Sequence, residues 1–477
     1  MSNAAPRFDD DIAALLTLAI RDLEGVVLPA VPSSSAAFTG DIIVKLLRLI
    51  ADRLATPDLV DDEIAATRDV ARALGLTLDK NATTNVDDVQ TPLGEAARRW
   101  IQSGADLPWP TVLKAAESRE KRQQGGVSRS LTESFAEAGA GGAKSRQGAA
   151  GDPKRLTVEA LQRILDARGS AKSARVTSLK EIGSGSQKTI FLATFDDAEK
   201  TQWVLRQDKN FSSFGLTVAD EVPYLAQLTG ADIPAPKALW LHPADQDVHA
   251  FYANEPIPGS ANFVEWSQSE HAEEIAAQIA TVMARLHAIP KWSETRRGPH
   301  LPGAHGDTPR DRVAHMRQYW DAIGARPVAL IDACFAWCEQ NAPAGFDREV
   351  PVHGDFAFHN IMVEDGRMTG LLDWEFAHFG DPHEDMDYIR PFMERMTSWR
   401  NFTDAYARAG GVRYQPKLGH WWGVLGMLRL AVGCHFNLEV IRGGRSDIDI
   451  RVANQGYLYA GQLLLDTARL IAAGPRD

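Results

Sequence analysis

The segment VHGDFAFHNIMVEDGRMTGLLD, residues 352–373, constrains this chain more than any other part of its sequence. It spaces an acid, Asp355, an amide, Asn360, and a second acid, Asp373, between apolar, strand-like runs. A carboxylate can take a proton from an attacking hydroxyl, and amide and carboxylate oxygens can hold the magnesium that neutralises phosphates. The spacing therefore predicts a phosphoryl-transfer loop with Asp355 as the catalytic residue and Asn360 and Asp373 as metal ligands.

The residues between Asn360 and Asp373 favour a β-hairpin. Two apolar runs, 361–363 and 368–372, flank the turn-forming residues EDGR at 364–367. This is the usual pattern of two antiparallel strands joined by a short loop. Such a hairpin would bring the amide and the second acid close together in space.

A glycine-containing loop lies about 170 residues before the HGD motif. It comprises Gly183, Ser184, Gly185 and Ser186, and it separates strand-like runs at 176–182 and 189–194. Glycines at such a position let backbone amides approach phosphate oxygens closely. We interpret these four residues as a nucleotide-binding loop.

The catalytic motif resembles that of the aminoglycoside phosphotransferase and choline kinase-like family. HGDFAFHN is similar to the family's catalytic loop, LLDWE at 371–375 to its metal-binding segment, and Gly380-Asp381-Pro382 to the continuation. WVLR at 203–206 and DWEFAHFGDP at 373–382 resemble most the kinase-like domains found beside acyl-CoA dehydrogenases. The likeness reaches back to about residue 155 and does not include roughly the first 120 residues.

This resemblance implies an α+β, bilobal protein-kinase-like fold, with a small antiparallel β N-lobe and a mainly helical C-lobe. It also implies ATP, or GTP, and Mg²⁺ as cofactors. Arg206, which ends the strand WVLR, stands where the family has a phosphate-binding Lys or Arg, and Glu221 stands where its helical partner is expected. An arginine keeps the positive charge and adds a planar fork for bidentate pairing.

Several other residues of the motif are interpreted as structural. In kinase-like loops the residue matching His353 packs and hydrogen-bonds to hold the loop, so we expect no general base there. Asp381 and Asp385 are predicted to cap or anchor the helix that follows, whereas Asp387 is interpreted as a surface residue. For Trp421, Trp422, Met427, Phe436 and Tyr457, an acceptor pocket and a generic helical core are equally good interpretations.

Composition shifts divide the chain. Residues 1–123 predict a helical accessory domain, residues 124–152 a flexible linker rich in Gly, Ala and Ser, 153–250 the nucleotide-binding N-lobe, and 251–477 the catalytic and acceptor-binding C-lobe. Thr91-Pro92 predicts a helix start and Gly104 its end. Dimerisation, partner docking and covering of the active site all remain open as roles for the helical domain.

Charge and cysteine content exclude other classes of protein. The net charge of −12 disfavours nucleic acid as a partner. Charges interrupt every long apolar run, so no membrane span is predicted. Three cysteines and a start without a basic-then-apolar leader favour the cytoplasm.

The predicted function is transfer of the γ-phosphoryl group of ATP to a hydroxyl of a small molecule. A hydroxyacyl-CoA-type acceptor follows from the narrower resemblance. An aminoglycoside-like alcohol is the other candidate, because residues 251–477 hold 29 acidic and 22 basic residues. The alternative is a catalytically inactive kinase-like module, but inactive relatives usually lose one of Asp355, Asn360 and Asp373.

Overall fold

The computed structural model describes residues 59–78, 86–123, 152–169, 174–185, 187–292, 308–445 and 448–476, together with Leu15, Ile43 and Leu46. Its first described helices are α1 (Leu59–Ala73), α2 (Gln90–Gln102) and α3 (Trp109–Gln123). The predicted linker lies outside the described residues, apart from Asp152, and so do the predicted helices at 12–20 and 42–50, apart from the three residues named above.

The next part of the chain forms an antiparallel sheet with two helices. Its elements are α4 (Val158–Ala167), β1 (Val176–Ser184), β2 (Lys188–Phe195), β3 (Gln202–Asp208), α5 (Val218–Leu228), β4 (Ala238–His242) and β5 (Phe251–Asn254). The strand order is β1-β2-β3-β5-β4. Alternate residues of β2 are buried, among them Phe191 and Ala193, and they pack with Leu161 of α4. The period of two thus fixes which face of the sheet meets the core.

The rest of the chain is mainly helical. Its elements are α6 (Phe263–Ser267), α7 (Ala272–Ala288), α8 (Pro309–Ala322), α9 (Ala329–Gln340), β6 (Val350–Val352), β7 (Ile361–Glu364), β8 (Arg367–Leu371), β9 (His378–Gly380), α10 (Pro382–Met393), α11 (Trp399–Arg408), α12 (Pro416–Arg442), α13 (Ile450–Asn454) and α14 (Ala460–Ala473). β7 and β8 are the hairpin predicted after Asn360. The predicted bilobal α+β fold is confirmed.

One apolar cluster surrounds the catalytic motif. Helices α5, α7, α10 and α11 contribute to it, and Phe356, Phe358 and Trp374 of the motif are buried within it. The aromatic residues on either side of Ala357 therefore fix the motif in the core. Trp421 and Trp422 lie in a second cluster with α8 and α9, and so belong to the helical core.

Helix α12 is long and apolar enough, by length and composition, to cross a membrane. However, 56% of its most apolar window is buried inside the fold. Arg429, near its middle, is also buried and donates a hydrogen bond to the carbonyl oxygen of Gly354. These contacts are typical of the core helix of a globular domain.

The described N-terminal helices pack on the C-terminal lobe. Apolar residues of α1, α2 and α3 share one cluster with Ala333 and Ala336 of α9. Arg98 forms an ion pair of 3.0 Å with the partly buried Asp332. The Thr91-Pro92 prediction was wrong in detail, because the helix begins at Gln90 after a 3₁₀ turn, Val86–Val89. Gly104, with a positive φ, follows the helix end as predicted.

A segment after β3, residues 209–217, bridges the two lobes. Phe211 stacks on Phe436 of α12, and Phe214 packs edge-on against Phe376 beside the catalytic motif. Gly433 of α12 makes this docking feasible, because a Cβ there would lie 2.3 Å from Cζ of Phe214. The absence of a side chain at position 433 therefore lets Phe214 pack closely against α12.

We predict that Gly433→Ala lowers the free energy of unfolding by about 1–3 kcal/mol, because the added methyl overpacks against Phe214. Gly426→Ala on the same helix is the matched control, since the nearest atom to its Cβ would be 3.9 Å away. That control should gain up to about 1 kcal/mol from helix propensity. Urea unfolding measures both, and equal effects of the two substitutions would contradict the proposed contact.

Candidate active site

One buried carboxylate holds the catalytic loop. Oδ2 of Asp385 accepts a hydrogen bond from the backbone N–H of His353, and Oδ1 accepts one from Gly354, both at 2.8 Å. Nε2 of His287 lies 3.1 Å from Oδ2. Burial alone would raise the pKa of Asp385, but His287 and the loop amides lower it. Asp385 was predicted to anchor its own helix; instead it anchors the loop.

The other acids of this segment have separate roles. Asp381 caps α10 by accepting a hydrogen bond from the backbone N–H of His383, as predicted. Asp387 is not the surface residue that was expected: burial raises its pKa to about 6, and the hydroxyl of Tyr414 donates to it at 3.1 Å.

His353 is a structural residue of the loop, as predicted. Its Nε2 lies 2.9 Å from the carbonyl oxygen of Leu372, and its Nδ1 accepts from the backbone N–H of Asp355 at 3.3 Å. Burial lowers its pKa more than the neighbouring acids raise it. A neutral ring with both nitrogens occupied fixes the distance between the loop and the end of β8 and is not placed to act as a base.

Asp355 and Asn360 form a direct pair. The amide Nδ2 of Asn360 donates to both the carbonyl oxygen and Oδ2 of Asp355, each at 2.9 Å. Because Nδ2 of Asn360 is used in these two hydrogen bonds, Oδ1 is the atom of this side chain that can bind a cation. No described residue donates a hydrogen bond to Oδ1. The hydroxyl of Tyr388, on α10, also hydrogen-bonds to Asp355, and burial together with that carboxylate raises the pKa of Tyr388.

Asp373 lies at the end of β8 in the left-handed region, with φ 65°. Non-glycine residues are uncommon there, and such strain concentrates at functional sites. The backbone N–H of Leu372 donates to the carbonyl oxygen of Asn360 at 2.7 Å, so Asn360 and Asp373 are near neighbours across the hairpin base. The predicted convergence of these two residues is therefore present.

Arg206 joins the two lobes through its guanidinium group. Nε donates to Glu221 of α5 at 3.0 Å, and Nη2 donates to Asp373. Nη2 also lies 3.6 Å from Oε2 of Glu375. Burial alone would lower the pKa of Arg206, but Asp373 and Glu221 raise it well above its usual value. The predicted pairing of Arg206 with Glu221 is present in the structure.

Lys188 is a second buried cation, which sequence reasoning missed. Its Nζ lies 3.1 Å from Asp208 and 3.3 Å from Glu375, and it donates to the carbonyl oxygen of Leu216 at 2.9 Å. Burial alone would lower the pKa of Lys188, but Glu375 and Asp208 raise it. The available signal was a lysine directly after the glycine loop, on the same strand face as Ile190.

Glu375, to which the sequence analysis assigned no chemistry, lies close to both cations. Its burial, with the nearby charge of Asp373, raises its pKa to about 7 although Lys188 and Arg206 oppose this. The carboxylate oxygens of Glu221, Asp373 and Glu375 come within 4.8 Å of one another. The acids therefore form a compact cluster whose repulsion is offset by two buried cations.

The glycine loop is shorter than predicted, because β1 extends to Ser184 and β2 begins at Lys188. Gly183 lies in β1 opposite Ile190. The N–H of Gly185 donates to the carbonyl oxygen of Lys188 at 3.0 Å. The side chain of Ser184 is not described, and Ser186 lies outside the described residues. Phosphate binding by these four residues stays a prediction.

A cavity of about 520 Å³ between the lobes collects most of these groups. The predicted site residues that line it are Gly185, Arg206, Asp355, Asn360 and Asp373. The lining also includes largely apolar side chains of both lobes, among them Ile190, Val204, Pro236, Tyr252 and Leu372. Such a cleft, with a few convergent polar groups, has the character of a small-molecule site.

Residues 178–421 match the sequence model of the phosphotransferase enzyme family, named APH. The chain belongs to this family. The match covers the sheet, the catalytic motif and the start of α12, so the predicted recognition is confirmed. The family is one of phosphotransferase enzymes, in agreement with the predicted reaction class.

Several named proteins match shorter parts of this chain. Acyl-CoA dehydrogenase family member 11 of Gallus gallus is 29% identical over 175 residues, 35% of this chain and 22% of that protein. Acyl-CoA dehydrogenase family member 10 of Mus musculus is 23% identical over 242 residues, which are 49% of this chain and 22% of that protein. Hygromycin-B 4-O-kinase of Escherichia coli is 30% identical over 79 residues, which are 16% of this chain and 22% of that protein. The chain thus spans about a fifth of the length of these curated relatives.

Two solved structures match this chain at low sequence identity. A thermostable mutant of aminoglycoside phosphotransferase APH(4)-Ia, in a ternary complex with AMP-PNP and hygromycin B, matches with a TM-score of 0.44 and 16% identity, over 65% of this chain and 99% of that chain. Macrolide 2'-phosphotransferase MphH from Brachybacterium faecium matches with a TM-score of 0.42 and 19% identity, over 62% of this chain and 97% of that chain.

We predict that Asp385→Asn lowers the free energy of unfolding at pH 7 by about 2–3 kcal/mol, because charge-assisted hydrogen bonds to the loop are lost. The pKa of Asp385 is lowered from 3.8 in the folded protein. Its stabilisation is therefore complete above about pH 4 and is lost as the pH falls towards the folded-state pKa.

Urea unfolding of both proteins between pH 7 and pH 3 measures this difference. The difference in free energy of unfolding between Asp385→Asn and the unmodified protein should become smaller below pH 4. The exposed control Asp404→Asn should have nearly the same free energy of unfolding as the unmodified protein at every pH. A gap that stayed constant down to pH 3 would argue against a lowered pKa.

Proposed function

We propose that this phosphotransferase moves the γ-phosphoryl group of ATP, with Mg²⁺, to a hydroxyl of a small molecule. The observation that carries the proposal is the shared cavity: Asp355, Asn360, Asp373 and Arg206 all line it. Phosphoryl transfer asks a protein mainly for positioning and charge neutralisation, and these four residues supply the groups for both.

The donor set suits magnesium. Mg²⁺ prefers hard oxygen ligands and retains waters, so one carboxylate, Asp373, and one amide oxygen, Asn360, can hold it together with phosphates. When bound, the ion would neutralise charge on the transferred group. The hydrogen bonds from Asn360 to Asp355 orient the amide oxygen for this role. Arg206 lies on the other side of Asp373 and balances the charge of the acidic cluster.

Asp355 has the position of a hydroxyl-orienting base. Its carboxylate is only 14% exposed, yet it lines the cavity and receives donors from Asn360 and Tyr388. These donors hold the carboxylate in one orientation. A loose transition state needs an oriented acceptor more than strong deprotonation, so Asp355 would accept the proton late in the reaction.

The acceptor is proposed by class only. A hydroxyacyl-CoA-type alcohol is suggested by the match to acyl-CoA dehydrogenase family members, and an aminoglycoside-like alcohol by the match to hygromycin-B 4-O-kinase. The second candidate function is an inactive nucleotide-binding module. The intact set of Asp355, Asn360, Asp373 and Arg206 favours the enzyme over that alternative.

We predict that Asp355→Ala lowers turnover at least a thousandfold while nucleotide affinity changes less than threefold, because Asp355 serves the acceptor. Asp373→Ala should instead remove the magnesium-dependent part of nucleotide binding. ADP release with ATP and GTP measures the first effect, and calorimetry with and without Mg²⁺ measures the second. Unchanged turnover in Asp355→Ala, with the exposed Asp404→Ala as control, would overturn the assignment.

We also predict that Lys188→Met raises the KM for ATP about tenfold. The substitution removes a cation that lines the phosphate part of the cavity and leaves Glu375 less well balanced. The control Lys180→Met makes the same change at an exposed position of β1. Steady-state kinetics distinguish the two, and an unchanged KM in a folded Lys188→Met protein would place Lys188 outside the nucleotide site.

A further inference from the structure

Part of the cavity lining comes from helices α12 and α14 and from the turn between α13 and α14. We name this part the acceptor wall. It consists of Leu430, Gly433, Cys434, Asn437, Gln455, Tyr459 and Leu463. Asp355 of the catalytic loop and Tyr388 of α10 also line the cavity, and an acceptor on this wall would present its hydroxyl to them.

A chain of amides fixes the polar part of the wall. The hydroxyl of Ser213 donates to Oδ1 of Asn437 at 2.8 Å, and Nδ2 of Asn437 donates to Oε1 of Gln455 at 3.0 Å. Because these bonds orient the Gln455 amide, its Nε2 is left as a donor at the cavity. Within the part of the chain that the structure describes, Nε2 of Gln455 donates no hydrogen bond. The wall thus offers a positioned neutral donor.

The backbone geometry at this point is unusual. Residues Gln455–Tyr459 form a π-helical turn between α13 and α14, and both its first and its last residue line the cavity. Single π-helical turns are rare and occur frequently at functional sites. Gln455, Tyr459 and Leu463 follow one another at intervals of four residues, and all three line the same cavity.

The wall carries no charge among its described residues. Burial raises the pKa of the Cys434 thiol to about 12, so this group is neutral as well. The acids of the cavity, Asp355, Asp373 and Glu375, belong to the catalytic loop or to the cluster with Arg206 and Lys188. A cationic substituent placed against α12 and α14 would lose its hydration without gaining a counter-charge, which is strongly unfavourable.

We propose that the acceptor wall binds the uncharged, apolar carbon skeleton of an alcohol, and not a polycation. This inference rests on the proposed phosphotransfer and selects between its two acceptor classes. Leu430 and Leu463 contact the carbon skeleton, the Gln455 amide donates to a neutral polar substituent, and the acceptor hydroxyl meets Asp355. The aminoglycoside-like acceptor is thereby disfavoured.

Two probes matched in length test this. 1-Heptanol and 6-aminohexan-1-ol differ in whether the far end is a methyl or an ammonium group, and kanamycin serves as the polycationic probe. With the full chain, ATP and Mg²⁺, we expect kcat/KM for heptanol to exceed that for the amino alcohol at least tenfold, with no turnover of kanamycin. Preference for the amino alcohol or for kanamycin, or no turnover of heptanol by a chain that binds ATP, would overturn the inference.

A charge placed on the wall provides the second test. Gln455→Glu should lower the ratio of heptanol to amino-alcohol kcat/KM at least tenfold, because the new carboxylate pairs with the ammonium group. Gln340→Glu, at the exposed end of α9, makes the same change in net charge and should leave the ratio unchanged. An unaltered ratio in a folded Gln455→Glu protein, or a change only in the KM for ATP, would remove Gln455 from the acceptor site.

Failure of this inference and failure of the proposed function give different results. Calorimetry of the unmodified chain with ATP and Mg²⁺ reports on the nucleotide site alone. Absence of nucleotide binding would contradict the phosphotransfer itself and the acceptor inference with it. Normal binding combined with a cationic preference would contradict only the character of the wall.

Discussion

The buried guanidinium of Arg206 is the contact on which the arrangement of the site depends. It starts from the sheet and reaches a helix of the same lobe, through Glu221, and the segment after β8 of the other lobe, through Asp373. A lysine could make one strong contact with this cluster, whereas the planar fork of arginine makes two in fixed directions. The position of the sheet relative to the catalytic loop is therefore tied to the charge state of the acidic cluster.

Two further devices keep the same geometry. Phe211 and Phe214 dock the segment after β3 onto α12 by apolar contact. Asp385 holds the catalytic loop from within the core through two backbone amides. The loop needs this support because Gly354 adopts a positive φ, and a Cβ there would lie 2.4 Å from the carbonyl oxygen of Phe376.

Much of this structure could be predicted from the sequence because the signals are local. The period-two strands at 176–182 and 189–194, the hairpin after Asn360 and the helix Val218–Leu228 follow from neighbouring residues alone. The pairing of Arg206 with Glu221 followed from a family resemblance. Lys188 and Asp385 could not be assigned in this way. Their partners lie in distant parts of the chain, and only the packed lobes bring a lysine of β2 to Glu375 or an acid of α10 to Gly354.

The neutral character of the acceptor wall also could not be predicted from the sequence. The surplus of acidic residues after residue 250 suggested a cationic acceptor, but net charge reports on a surface and not on one cavity. Asp332 is neutralised by Arg98 and Arg317, and Glu439 by Arg442. The residues that reach the cavity from α12 and α14 are instead aliphatic, thiol, phenol and amide groups. Because burial multiplies the cost of an unpaired charge, these few neutral side chains outweigh the acidic balance of the whole lobe in selecting an acceptor.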